Sequence, residues 1–147
     1  MDADQLARAC ADAMYANDRA SAALGMEIIE VSEGRAALAM PVREDMLNGH
    51  DVCHGGLIFS LADSAFAFAC NSQNNNTVAA GARVEFLAPG KPGDILTATA
   101  EQISQGGRTG IYDVVVRNQN DKTIALFRGN SHRIGGALVN ESNGEAL

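Results

Sequence analysis

Residues 55–70 read Gly55-Gly56-Leu57-Ile58-Phe59-Ser60-Leu61-Ala62-Asp63-Ser64-Ala65-Phe66-Ala67-Phe68-Ala69-Cys70, and Asp63 is their only charged side chain. A helix that is apolar on every side has to be covered on every side. The rest of the chain must therefore wrap around this segment. A carboxylate inside such a helix is costly unless something uses or satisfies it. Just upstream lies the polar loop Asn48-Gly49-His50-Asp51-Val52-Cys53-His54. Loop, helix start and enclosed acid together mark a candidate active site.

The flanking sequence supplies the cover. Residues 3–17 read as a surface helix, with Leu6, Cys10, Ala13 and Met14 at helical spacing opposite Asp4, Arg8 and Asp12. Ser21 to Gly25 reads as a turn. Strands are expected at 26–32 and 35–42 around Gly34, with Ala36, Leu38 and Met40 alternating and Pro41 at the end, where its missing N–H does least harm. The long helix spans 54–71 and ends in a turn built by Asn71, Asn74, Asn75 and Asn76. The period then changes to two, and strands are expected near 77–88, 94–105, 109–118 and 122–134. Val84 with Phe86, Leu96 with Ala98 and Ala100, Tyr112 with Val114 and Val116, and Ala125 with Phe127 each share a face. Short Pro-Gly and Gly-Gly connections predict a meander of antiparallel strands. The fold class is α+β: a curved antiparallel β-sheet wrapped around one long buried α-helix, with an N-terminal helix. Residues 1–147 form one domain, with 137–147 expected as a flexible tail.

Composition removes several function classes. The 147 residues include 46% hydrophobic and 20% charged side chains, as in a soluble globular domain. The net charge is −7 with no cluster of lysines or arginines, so no nucleic-acid partner is expected. The longest apolar run is too short to cross a bilayer and carries Asp63, so no membrane partner is expected. Met1-Asp2-Ala3-Asp4 places no basic region ahead of an apolar core, and Cys10, Cys53 and Cys70 are too few for a disulfide framework. The expected compartment is the cytoplasm.

Asn48-Gly49-His50, His54-Gly55-Gly56 and Leu61-Ala62-Asp63 resemble the hotdog-fold acyl-CoA thioesterases. Phe66 to Gln73 and Leu126 to Gly136 look like the phenylacetate-degradation (PaaI-type) subgroup, and the resemblance spans about residues 12–136. It implies hydrolysis of phenylacetyl-CoA and ring-hydroxylated relatives, with coenzyme A as part of the substrate and no other cofactor. It also implies a homodimer whose two sheets join into one, and commonly a homotetramer.

Thioester hydrolysis needs donors for a developing oxyanion and a carboxylate acting as base or nucleophile, because the leaving thiol, with a pKa of roughly 8.5, departs readily. The N–H groups of Gly55 and Gly56 open the helix, where they lack intrahelical partners and face the positive end of the dipole. Gly55 is the expected donor to the thioester oxygen, and Gly56 adjoins the substrate; the plainer alternative is that both glycines allow tight helix–sheet packing. Asp63 is the expected base or nucleophile, against a helix acid that merely faces solvent. Asn48 faces the attacking water or the acid by resemblance, and as residues it reads equally as a turn former. His54 either caps the helix or orients the thioester. Phe59 is a candidate wall of the acyl pocket, against a plain core role. Arg108, in Gly106-Gly107-Arg108-Thr109-Gly110, is a candidate contact for coenzyme A phosphates, against a solvated turn arginine.

Helix geometry adds a constraint. Gly55 and Asp63 lie about 12 Å apart along the axis at 1.5 Å per residue, too far to serve one thioester from the same helix. A second, antiparallel copy would bring one subunit's Gly55 to the other's Asp63, giving a two-fold dimer with shared sites. No metal is expected, because the spacing of His50, Cys53 and His54 matches no zinc pattern. Cys53 is disfavoured as a nucleophile because neighbouring side chains diverge from His54. Two competitors remain: a hydratase of the same fold, which needs a base histidine paired with the helix acid, and a non-catalytic acyl-CoA-binding protein.

Overall fold

A computed structural model describes residues 1–147. The apolar segment forms α3 (Gly55–Cys70). Around it lie α1 (Ala3–Tyr15), α2 (Arg19–Ala23), β1 (Glu27–Ser32), β2 (Arg35–Pro41), β3 (Thr77–Phe86), β4 (Ile95–Gly106), β5 (Thr109–Arg117) and β6 (Thr123–Arg133). The six strands make one antiparallel sheet in the order β1-β2-β4-β5-β6-β3. Bulges in β1, β3, β4 and at the start of β6 bend the strands as they pass the helix.

Strand alternation drives the packing. Across β2 and β4, Ala36 faces Ala100, Leu38 faces Ala98 and Met40 faces Leu96, and all six are buried. Tyr112, Val114 and Val116 continue this inner face on β5. Small strand residues make room for α3, whose Leu61, Ala62, Ala65, Phe66, Phe68 and Ala69 are sealed against them. The Phe66 ring lies 5.6 Å from that of Tyr112 and 5.8 Å from that of Phe127. Beneath it, a Cβ on Gly129 would come within 2.7 Å of the ring, so only glycine fits there. Each such large apolar side chain contributes about 1.5–3 kcal/mol on burial.

Four expectations change. The four later strands are not one meander: β4, β5 and β6 are, but β3 crosses to the far edge and pairs with β6. The inward positions of β3 (Ala79, Ala82, Val84 and Phe86) extend past the cover of α3, and its outer edge is unpaired. The segment read as a turn at Ser21 is largely the short helix α2, because Asp18 accepts the Ser21 N–H at 2.9 Å and caps it. On α1 the buried residues are Ala7, Cys10 and Ala11; of the expected Leu6, Cys10, Ala13 and Met14, Cys10 is buried and the other three are only half-buried. Finally, residues 137–147 fold back rather than trail. The buried Asn74 side chain accepts the N–H groups of Leu138 (2.8 Å) and Val139 (3.0 Å) and donates to the Val139 carbonyl (3.0 Å). Val139 and Ala146 then form a bridge, and Leu147 N–H donates to Leu138. A polar composition hid this, because the tail is held by backbone groups and one asparagine rather than by apolar bulk.

Candidate active site

The loop before α3 is fixed by its own hydrogen bonds. Asn48 N–H donates to Val52 at 2.8 Å, and Asp51 N–H returns to Asn48 at 3.0 Å with Asp51 at φ 58°. The Asn48 Oδ1 accepts the N–H groups of His50 (2.9 Å) and Val52 (3.4 Å), so its carbonyl end is a turn former. Its amide end makes no hydrogen bond within the protomer. The loop is anchored below by Cys53 N–H on Gly90 and His54 N–H on Met46, both at 2.8 Å.

His54 is the N-cap of α3: its Nδ1 accepts the Gly56 N–H at 2.9 Å. Leu57 and Ile58 both donate to the His54 carbonyl. In the first turn only the Gly55 N–H is left without an acceptor, at the positive end of a sixteen-residue helix. Of the two glycines, Gly56 is thereby spoken for and Gly55 is free. Beside Gly55 opens a cleft of ≈ 320 Å³ lined by Val52, Cys53, Ile58, Phe86, Leu87 and Pro89. The Phe86 ring rests on Gly55, where a Cβ would meet it at 3.1 Å.

Asp63 lies two turns further on, beyond Phe59 on the same side of the helix. Its carboxylate makes no hydrogen bond or ion pair in the protomer. Burial pushes its pKa above the ordinary aspartate value, and the negative Asp18 adds to the rise. α3 is not sealed all round: Gly56, Phe59, Ser60, Asp63, Ser64 and Ala67 form a stripe that its own sheet leaves partly open. The apolar sequence concealed this stripe, because alanine and glycine look the same in a core and at a contact.

The remaining expected groups fall as follows. Phe59 is half-buried and edge-on to Phe127, with ring centroids 5.3 Å apart. Arg108 is exposed in the β4–β5 turn and makes no ion pair; its carbonyl accepts the Arg133 N–H, and Arg133 in turn reaches Gln73 beyond the end of α3. It thus sits at the opposite end of the helix from its own Gly55. No three His, Cys, Asp or Glu side chains cluster as metal ligands would. Cys53 is buried, and burial pushes its thiol up, which suppresses thiolate chemistry. Within the protomer His54 is bonded to Gly56 and not to Asp63. Phe86, which reads from sequence as a strand residue of the core, is instead a wall of the Gly55 cleft; its place at the end of β3, beside Leu87 and Pro89, is the one local sign. A second cleft of ≈ 340 Å³ on the outer sheet face, between Arg83 and Arg128, carries no free amide or unpaired acid, and Arg128 there grips Asp113 with two hydrogen bonds.

Residues 50–125, which hold the helix start, Asp63 and strands β3 to β5, match the thioesterase superfamily. The chain belongs to that family. This thioesterase has the hotdog fold, one antiparallel sheet packed on one long helix. It is 55% identical over 132 residues to the acyl-coenzyme A thioesterase PaaI of Escherichia coli (strain K12), covering 90% of this chain and 94% of that one. The solved structure of the E. coli PaaI protein from the phenylacetic acid degradation operon superposes with a TM-score of 0.91 at 54% identity, over 92% of this chain and 99% of that one. A Streptococcus mutans UA159 protein solved with acetyl CoA bound superposes with a TM-score of 0.74 at 25% identity, over 76% of this chain and 90% of that one. No helix of the thioesterase is long and apolar enough to cross a membrane.

Proposed function

We propose that the protein is an acyl-CoA thioesterase that hydrolyses phenylacetyl-CoA and its ring-hydroxylated relatives to the free acid and coenzyme A. The observation that carries this is a pair: one unpartnered backbone N–H at Gly55 and one unpartnered, half-buried carboxylate at Asp63 on the same helix face. The high identity to PaaI, an acyl-coenzyme A thioesterase from the phenylacetic acid degradation operon, supports this substrate class. In this reading the Gly55 N–H holds the thioester oxygen as charge builds on it. Asp63 either takes a proton from the attacking water or attacks the carbonyl carbon itself, in which case water then hydrolyses the mixed anhydride, frees the acid and restores the carboxylate. The carbon–sulfur bond breaks, and the thiolate leaves to be protonated. Coenzyme A arrives as part of the substrate and no further cofactor is used.

The protein works as a homodimer with shared sites, Gly55 from one subunit and Asp63 from the other. Two features support this: the axial separation of about 12 Å within one helix, and the half-open stripe on α3 beside the uncovered inner face of β3. Arg108, at the far end of α3, would reach the partner's substrate in the same way, and the free Asn48 amide would face the water or the acid. Two such dimers assemble into a homotetramer. The compartment is the cytoplasm, in keeping with three unpaired, buried cysteines. A thiol-release assay over aryl and alkyl CoA esters tests the reading; fastest turnover on phenylacetyl esters supports it, and turnover on none sinks it. Single-turnover oxygen-18 incorporation separates direct attack from attack by water.

A further inference from the structure

We propose that Asp18 is a positioning residue for Asp63, held against the middle of α3 by a relay of two serine hydroxyls. The Asp18 Oδ1 accepts the Ser21 N–H at 2.9 Å, and its Oδ2 accepts the Ser21 hydroxyl at 2.6 Å. The Ser21 oxygen lies 2.8 Å from that of Ser64, the residue after Asp63. Because Ser21 donates to Asp18, Ser64 donates to Ser21, and each hydroxyl proton has one place to go. Ser21 is 2% exposed, so water does not compete for these bonds.

The relay does more than cap a five-residue helix. A cap needs only the Ser21 N–H; the bond from Ser64 ties that cap to the helix that carries the acid. Neighbouring contacts hold the same docking, with the Tyr15 ring stacked on Phe68 at 6.2 Å and the Tyr15 hydroxyl donating to Met26 at 2.6 Å. The Asp18 carboxyl is thus tied through Ser21 to Ser64, next in sequence to an acid that has no partner in the protomer. Arg19, the adjoining cation, is exposed and forms no ion pair, so it leaves Asp18 uncompensated. On α3 itself the other titratable group facing Asp63 is Cys70, whose thiol is pushed up to about 12 and stays neutral. Asp18 therefore acts on Asp63 through charge, in the direction that makes it a stronger base. This rests on the reading of Asp63 as the group that drives hydrolysis.

The experiment follows the Asp63 carboxyl by carbon-13 NMR of aspartate-labelled full-length protein across pH, with its signal assigned by its loss in Asp63→Asn. In Asp18→Asn, which keeps a capping oxygen, the Asp63 midpoint should move to lower pH, and the acid limb of kcat/KM should move with it. Asp18→Glu should restore both, and Asp12→Asn on the outer side of α1 should change neither. Asp18→Ser, a second neutral cap, gives the same readout if the amide variant misfolds. An unmoved midpoint in a folded neutral variant, or an equal movement in Asp12→Asn, overturns the proposal. A moved midpoint with an unmoved acid limb upholds the coupling and overturns the catalytic reading of Asp63 instead.

Discussion

The His54 Nδ1 takes the Gly56 N–H at 2.9 Å, and in doing so leaves Gly55 with the one uncommitted amide of the α3 first turn. The free donor can be deleted without breaking the helix. Gly55 is the first helical position, where proline is favoured and its missing N–H costs no hydrogen bond. His54 already has the extended ψ of 130° that a following proline requires. Gly55→Pro should fold and melt like the parent while kcat falls by about 10²–10³-fold, the usual cost of one oxyanion donor. Gly55→Ala keeps the N–H and displaces only the exposed Phe86 ring by a few tenths of an ångström, so it should lose far less. Equal losses in the two variants, measured by thiol release, count against the donor role.

Asp63→Asn should abolish turnover and raise thermal stability at neutral pH. The folded protein holds the Asp63 pKa above its unfolded value, so it binds the proton more tightly than the unfolded chain does. Stability then falls as pH rises from the unfolded value, about 3.9, through the raised one, and the penalty is fully present above both. The Tm gain of Asp63→Asn should therefore be present at pH 7 and vanish in acid below the ordinary aspartate range. A variant with a lowered Tm at pH 7 contradicts an unpartnered carboxylate.

Mixing inactive variants tests site sharing. Gly55→Pro and Asp63→Asn subunits, unfolded and refolded together at equal ratio, should regain about a quarter of parental activity, since half the two-fold dimers are mixed and each has one intact site. Each variant refolded alone should stay inactive. No recovery in a mixture that sedimentation proves to be heterodimeric overturns the sharing of one site between two subunits.

Asn74 holds the C-terminal segment in place. It sits at φ 61°, follows the end of α3, and bonds three backbone groups of Leu138 and Val139, besides accepting a weak bond from the buried Cys10 thiol at 3.7 Å. Asn74→Ala leaves those groups unsatisfied, at about 1–3 kcal/mol, and strains the left-handed backbone further. Limited proteolysis should then cut after residue 137, and Cys10 should react with alkylating reagents, while kcat stays at the parental level. A protease-resistant tail in this variant refutes the clasp.

The sequence made α3 legible because no surface helix could afford that composition, and it made Gly55 and Asp63 legible because their chemistry stands out from apolar neighbours. Strand faces were legible from alternation, as the buried Leu96, Ala98 and Ala100 illustrate. The partner of β3 was not. Ala79, Ala80, Gly81 and Ala82 carry little side-chain information, and a strand's neighbour depends on contacts across the whole sheet. The Asp18–Ser21–Ser64 relay was hidden for a similar reason: it joins residues 43 positions apart through a docking that only tertiary structure creates. His54 and Asn48 had two readings each, and hydrogen-bond geometry is what separates a cap from a free imidazole.

The unpaired rim of β3 has a cost outside catalysis. A bare row of amides and carbonyls flanked by exposed Phe86 and Leu87 is a template on which stray chains can add, and it carries few of the guarding charges that other sheets place there. Chains whose β3 edge stays uncovered are expected to pair with one another and aggregate. Selection on residues 77–87 is therefore expected to answer to colloidal survival during biosynthesis as much as to turnover.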